Sequence, residues 1–106
     1  MYATIRRYSS KTAATKQNVD EFKRRIEEKF VPTIQDIRGF HTYAVLKAGD
    51  TDLLSISIFE DRNGATESTR KAAEFVQKDP MRDQLSKPEV LEGELLILRE
   101  AGVGVR

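Results

Sequence analysis

The chain has 106 residues, with no cysteine, no tryptophan and one histidine, and its 18 basic and 17 acidic side chains leave a formal net charge of +1. Without thiols there is no disulfide framework, zinc–thiolate site, iron–sulfur cluster or thiol nucleophile, and a single imidazole cannot build a histidine-based metal site. So even a charge balance argues against a dedicated nucleic-acid or polybasic membrane binder, and a content of 39% hydrophobic and 33% charged residues describes a globular domain.

The segment Tyr2–Tyr8 (YATIRRY) is rich in aromatic and β-branched residues and is expected as a first strand. Its two arginines and lack of an apolar run do not read as a secretory signal, and no window reaches the ~18–20 apolar residues of a membrane span. A cytoplasmic location is the expectation. Ser9–Thr15 is a polar connection without glycine. Val19, Phe22, Ile26 and Phe30 then recur at helical spacing as one apolar stripe, opposite a charged face in which Asp20 and Arg24, and Glu21 and Arg25, are acid-first i,i+4 pairs. Pro32 should end or kink this helix, because proline lacks the backbone donor and crowds the preceding turn. Ile34 and Ile37 suggest a short second helical piece, which Gly39 stops.

Phe40–Lys47 is expected as the second strand, Ala48–Asp52 as a turn, and Leu53–Phe59 (LLSISIF) as the third strand, completing a hairpin. Asp61 or Asn63 can cap the next helix, whose inner face is Ala65, Ser68, Ala72, Phe75 and Val76. Asp79-Pro80 breaks it. Val90–Arg99 is expected as the fourth strand, in which Gly93 suggests a bulge or a close backbone approach. A single domain follows, spanning 1–106, with its core at about 2–99 and a C-terminal tail at 100–106. The order β-α-β-β-α-β predicts an α+β, ferredoxin-like sandwich: a four-stranded antiparallel sheet with two helices on one face.

The other face of that sheet cannot be polar. Leu54, Ile56 and Ile58 share one side of strand three, and burying each is worth roughly 1.5–3 kcal/mol. A second copy covering that side by two-fold symmetry is therefore expected, making a homodimer. Strand three offers no aromatic platform of the kind RNA-recognition modules use, and the loop before the first helix has no glycine-rich phosphate cradle. A small-molecule pocket between helices and sheet remains.

The strings Arg38–Tyr43 (RGFHTY), Ser55–Arg62 (SISIFEDR), Ser68–Val76 (STRKAAEFV) and Leu91–Glu94 (LEGE) are similar to members of the antibiotic biosynthesis monooxygenase superfamily. The resemblance covers about 2–99 and implies a dimeric α+β barrel. Characterised members oxidise polycyclic phenols to quinones without metal or flavin; others degrade haem or isomerise quinols. The haem-degrading branch uses an Asn-Trp-His set that this chain lacks, and Phe75 and Thr69 stand where relatives often carry Trp and Asn. The resemblance thus implies a monooxygenase needing no cofactor and acting on a phenolic or quinol-like small molecule. The alternative is a non-catalytic small-molecule-binding or dimerisation protein of the same fold.

His41 is the one side chain whose ordinary pKa suits proton transfer near neutrality. Strand alternation would put it on the face of Tyr43. In the functional reading His41 deprotonates a phenol and Tyr43 orients the ring; otherwise His41 is a surface or hydrogen-bonded structural residue. Arg6 and Tyr8 share one face of strand one and either line the pocket or form a polar rim. Ser57, with Ser55, either admits a ligand or allows close packing. Arg70 either reaches an anionic substrate group or pairs with Glu74.

Overall fold

A computed structural model describes residues 1–13 and 15–101; the rest of the expected tail, 102–106, lies outside the described residues. Its elements are β1 (Tyr2–Ser9), α1 (Lys16–Arg25), a π-helical turn (Ile26–Phe30), α2 (Val31–Gln35), β2 (Phe40–Ala48), β3 (Asp52–Phe59), α3 (Arg62–Lys78) and β4 (Glu89–Glu94). The four strands form one sheet in the order β2-β3-β1-β4, and every neighbouring pair is antiparallel. This is the ferredoxin-like α+β arrangement expected from the order of elements.

Local chemistry accounts for the helix boundaries. Thr15 caps α1 by accepting a hydrogen bond from the Asn18 amide, and Asp61 caps α3 by accepting one from the Gly64 amide. Between α1 and α2 the helix widens, and the Val31 amide donates to the Ile26 carbonyl five residues back. This turn sits directly ahead of Pro32, whose ring would crowd the Glu28 carbonyl in a regular α-helix. The expected kink at Pro32 is therefore a π-helical turn, and the helical path continues through it. Gly39 closes the helical segment at a φ of +83°, a conformation that side chains with a Cβ rarely adopt.

The register sorts the strands into two faces. Thr4, Arg6 and Tyr8 of β1 lie opposite Ser57, Ser55 and Leu53 of β3, on the side covered by the helices. Phe59, Ile34, Phe30, Ala65 and Ala72 form the core beneath α2 and α3. A second cluster of Tyr8, Phe22 and Leu85 lies under α1. Arg25 clamps α1 to the segment after α3 through two hydrogen bonds to buried Asp79. The opposite face carries Ile5, Leu54, Ile56 and Ile58, with Leu91 61% exposed beside them.

Two strand expectations are corrected. The fourth strand ends at Glu94, not Arg99, because Glu94 pairs with Tyr2 and β1 has nothing left to offer after the Leu95 amide bonds the Met1 carbonyl. Beyond it Leu96 and Ile97 are 89% and 82% exposed. Gly93 is neither a bulge nor a close approach: it pairs in register with Ala3, and a Cβ there would meet nothing within 4 Å.

Candidate functional site

α1 and the β2–β3 hairpin do not close on each other completely, and a cavity of about 370 Å³ lies between them. Beyond Tyr43 the helices cover the hairpin less, and Val45 on the helix side of β2 is 40% exposed. Val19, Phe22, Ile26, Val45, Leu53 and Leu85 make the wall apolar, while Lys23, Glu27, Lys47 and Asp50 stand among the charged groups around it. A recess of about 40 Å³ shares Phe22, Ile26, Tyr43, Val45 and Leu53 with this cavity and reaches Arg6, Tyr8 and Ser55. Aromatic rings shape the recess. Phe30 meets Tyr43 edge-on with centroids 5.4 Å apart, and Phe75 lies 5.4 Å from Phe30 and 6.2 Å from Phe22.

The inner end of the recess is polar. Arg6 points inward from β1 because it shares the helix-covered face with Thr4 and Tyr8, and only 1% of it is exposed. Its Nε donates to Ser55 Oγ (3.0 Å), one terminal nitrogen donates to Ser57 Oγ (2.9 Å), and the other donates to Ser68 Oγ and Thr69 Oγ1 (3.2 Å each). All four acceptors are neutral hydroxyls, and among the described residues no carboxylate forms an ion pair with Arg6. A buried charge without a counter-charge costs several kcal/mol, which hydrogen bonds offset only in part. Burial accordingly lowers the Arg6 pKa from its ordinary value, yet a guanidinium keeps its charge at neutral pH. Burial also pushes the Tyr43 phenol up to about 12 and raises that of Tyr8, with Arg6 pulling both the other way. Both tyrosines are neutral at physiological pH.

Of the candidates named from sequence, Arg6, Tyr8 and Tyr43 therefore meet at one end of a cavity, and fully buried Ser57 supports Arg6 from β3. Two candidates stand elsewhere. A register irregularity between Phe40 and Thr42 interrupts the alternation, so His41 does not line the cavity beside Tyr43. Its Nδ1 is instead 2.6 Å from Thr42 Oγ1, and its Nε2 is 3.4 Å from Glu100. Arg70 is on the exposed side of α3 and pairs with Glu67 and Glu74. Ser68 and Thr69 of α3 were not singled out as site residues. Their signal was a hydroxyl at an inner helix position facing strand serines, which reads as close packing until a cation is found between them. Among the described residues no group of three His, Cys, Asp or Glu side chains is placed to hold a metal ion, and no helix is long and apolar enough to cross a membrane.

No family model and no curated protein matches the chain. Solved structures do match its fold. A protein of unknown function from Nitrosomonas europaea superposes with a TM-score of 0.71 at 19% identity, over 95% of this chain and 94% of that one. SnoaB, a cofactor-independent oxygenase from Streptomyces nogalater, matches with a TM-score of 0.64 at 12% identity, over 92% and 94% of the two chains. A dimeric ferredoxin-like protein from an uncultured marine organism matches with a TM-score of 0.66 at 6% identity, over 94% and 98%. The chain thus shares the ferredoxin-like α+β fold of these proteins over nearly its whole length.

Proposed function

We propose that the protein is a cofactor-independent monooxygenase acting on a phenolic or quinol-like aromatic compound held in the cavity between α1 and the β2–β3 hairpin. The observation that carries this reading is the cavity itself: apolar aromatic walls of ring-sized dimensions ending on two tyrosines and an arginine. The substrate ring lies against Phe22, Ile26 and Val45, with its oxygen toward Tyr43 and Tyr8. In the oxygenation a ring C–H becomes C=O: one atom of dioxygen enters the product quinone, and the other leaves as water with the two hydrogens lost from the phenol. The electrons come from the substrate, and the protein orients the ring and keeps bulk water away. His41 has no part in this step, since its ring is bonded to Thr42 outside the cavity.

A second reading, a non-catalytic ligand-binding protein of the same fold, is favoured by that same placement of His41, which leaves the cavity lining without an imidazole. Oxygen uptake with a panel of anthrones and naphthoquinols separates the two. The oxygenase reading expects uptake stoichiometric with quinone formation and strongly reduced by Val45→Trp, which fills the cavity. Tight binding of the same compounds with no oxygen consumed would establish the second reading instead. In either case the functional unit proposed is a homodimer joined through the apolar sheet face.

A further inference from the structure

We infer that the natural ligand of this cavity is an aromatic compound already anionic at neutral pH, one oxygen of which pairs with the Arg6 guanidinium at the end of the recess. The inference rests on the reading of the cavity as a ligand site but does not depend on the oxygenation chemistry.

A guanidinium has five N–H donors, and hydroxyls of Ser55, Ser57, Ser68 and Thr69 take four of them. Those bonds hold the fork rigidly but contribute no negative charge. Tyr8 and Tyr43, on the recess side, are protonated and contribute none either. Glu92 is the carboxylate that acts on Arg6, and it does so from the exposed strand β4, where it accepts a hydrogen bond from Thr66. The result is a positive charge without a buried counter-charge in a low-dielectric pocket, its recess side hydrogen-bonded to the neutral phenols of Tyr8 and Tyr43, at the closed end of an apolar cavity. Were Arg6 present only to fill space, an apolar side chain of similar volume would avoid the desolvation cost. Were it present as a structural ion pair, a carboxylate would face it. A hydroxyl cradle that positions the cation without neutralising it instead suits an anion that comes and goes. The recess, about 40 Å³, takes a small polar group but not an aromatic ring, so the remainder of the compound must occupy the apolar cavity. A carboxylate and an ionised enol or phenol share this chemistry.

The test measures binding at neutral pH of 2-naphthoate, 2-naphthamide and 2-naphthol, by isothermal titration without dioxygen. The expectation is that naphthoate binds at least about tenfold more tightly than naphthamide or naphthol, as a charge-assisted hydrogen bond provides. In Arg6→Gln that preference falls to within about twofold. Because Arg6→Gln could fail to fold, the Arg6 Nε–H resonance of the unaltered protein supplies a second readout. Its ¹⁵N shift moves on saturation with naphthoate and not with naphthamide. Equal binding of acid and amide, a preference that survives in Arg6→Gln, an unmoved Nε resonance or no binding of any probe would each overturn the inference. A preserved naphthoate preference in a protein that consumes no oxygen would sustain it while removing the oxygenase reading. Oxygen uptake with neutral quinols and no acid preference would do the reverse. An ionised enol as the natural form is recognised by a more acidic naphthol, such as 2,4-dinitro-1-naphthol, binding as naphthoate does while 2-naphthol does not.

Discussion

Tyr43 occupies two environments at once: its ring is held edge-on by Phe30, and its phenol sits under the influence of a buried arginine. Desolvation outweighs the arginine, so the phenol loses its proton less readily in the folded protein than in the unfolded chain. The consequence for stability has a definite sign. Below pH 10 the phenol is protonated in both states and its contribution is complete; as the pH rises from 10 toward about 12 the unfolded chain ionises first and stability declines. Urea unfolding between pH 9 and 12 should show a loss on the order of 1–2 kcal/mol from Tyr43, with Tyr8 acting in the same direction. Tyr43→Phe should flatten part of that slope. A slope identical in Tyr43→Phe and the parent would show that the phenol is not desolvated as described.

At the scale of elements, α3 is seated by one close approach. A Cβ on Gly64 would lie 2.6 Å from Phe59 Cδ2 and 2.9 Å from its Cβ, and Phe59 is fully buried with Phe40 packed edge-on against it at 5.8 Å. The ring has nowhere to go. Gly64→Ala should therefore lower stability by about 1–3 kcal/mol, even though alanine is the better helix former, and thermal unfolding would measure it. A stabilised Gly64→Ala variant would mean that α3 can lift from the sheet at little cost. The position of α3 matters to the site because Ser68 and Thr69, one turn further on, hold Arg6 from the side opposite β3. At the other end of the fold the π-helical turn places Ile26 and Phe30 toward the cavity and the recess. Pro32 thus shapes the site from a position that touches neither.

For the molecule as a whole, the sheet face away from the helices presents half-buried Ile5, Leu54 and Ile56, edged by Leu46 and Leu91, 44% and 61% exposed, while Ile58 on the same face is already buried within the single chain. A protein that buries its cation at a cost on one face would not leave this much apolar surface on the other without return. A second copy placed on that face would recover roughly 1.5–3 kcal/mol for each aliphatic side chain fully covered. Light scattering at micromolar concentration should accordingly give twice the chain mass, and Ile56→Lys should give the monomer mass with the cavity still formed. A parent protein that scatters as a monomer throughout that range would refute the homodimer.

Periodicity and breakers alone determined much of this protein. The stripe Val19–Phe22–Ile26–Phe30, the proline after it, Gly39 and the strand alternation around Ser55 and Ser57 were sufficient for the element order, the helix-covered sheet and its apolar second face. These features are local, since a side chain's direction along a helix or strand follows from its spacing. The site was legible only in part for the same reason. Arg6, Tyr8 and Tyr43 could be placed on faces, but the convergence of four hydroxyls from β3 and α3 on one guanidinium joins residues between 49 and 63 positions apart. Tertiary structure alone decided that. It also decided where alternation fails: one irregularity at the start of β2 takes His41 off the face of Tyr43 and sets it against Thr42, the hydrogen-bonded alternative to a base, and the limited length of β1 ended β4 at Glu94. Both outcomes depend on what the neighbouring strand offers, and no run of residues read by itself contains its neighbour.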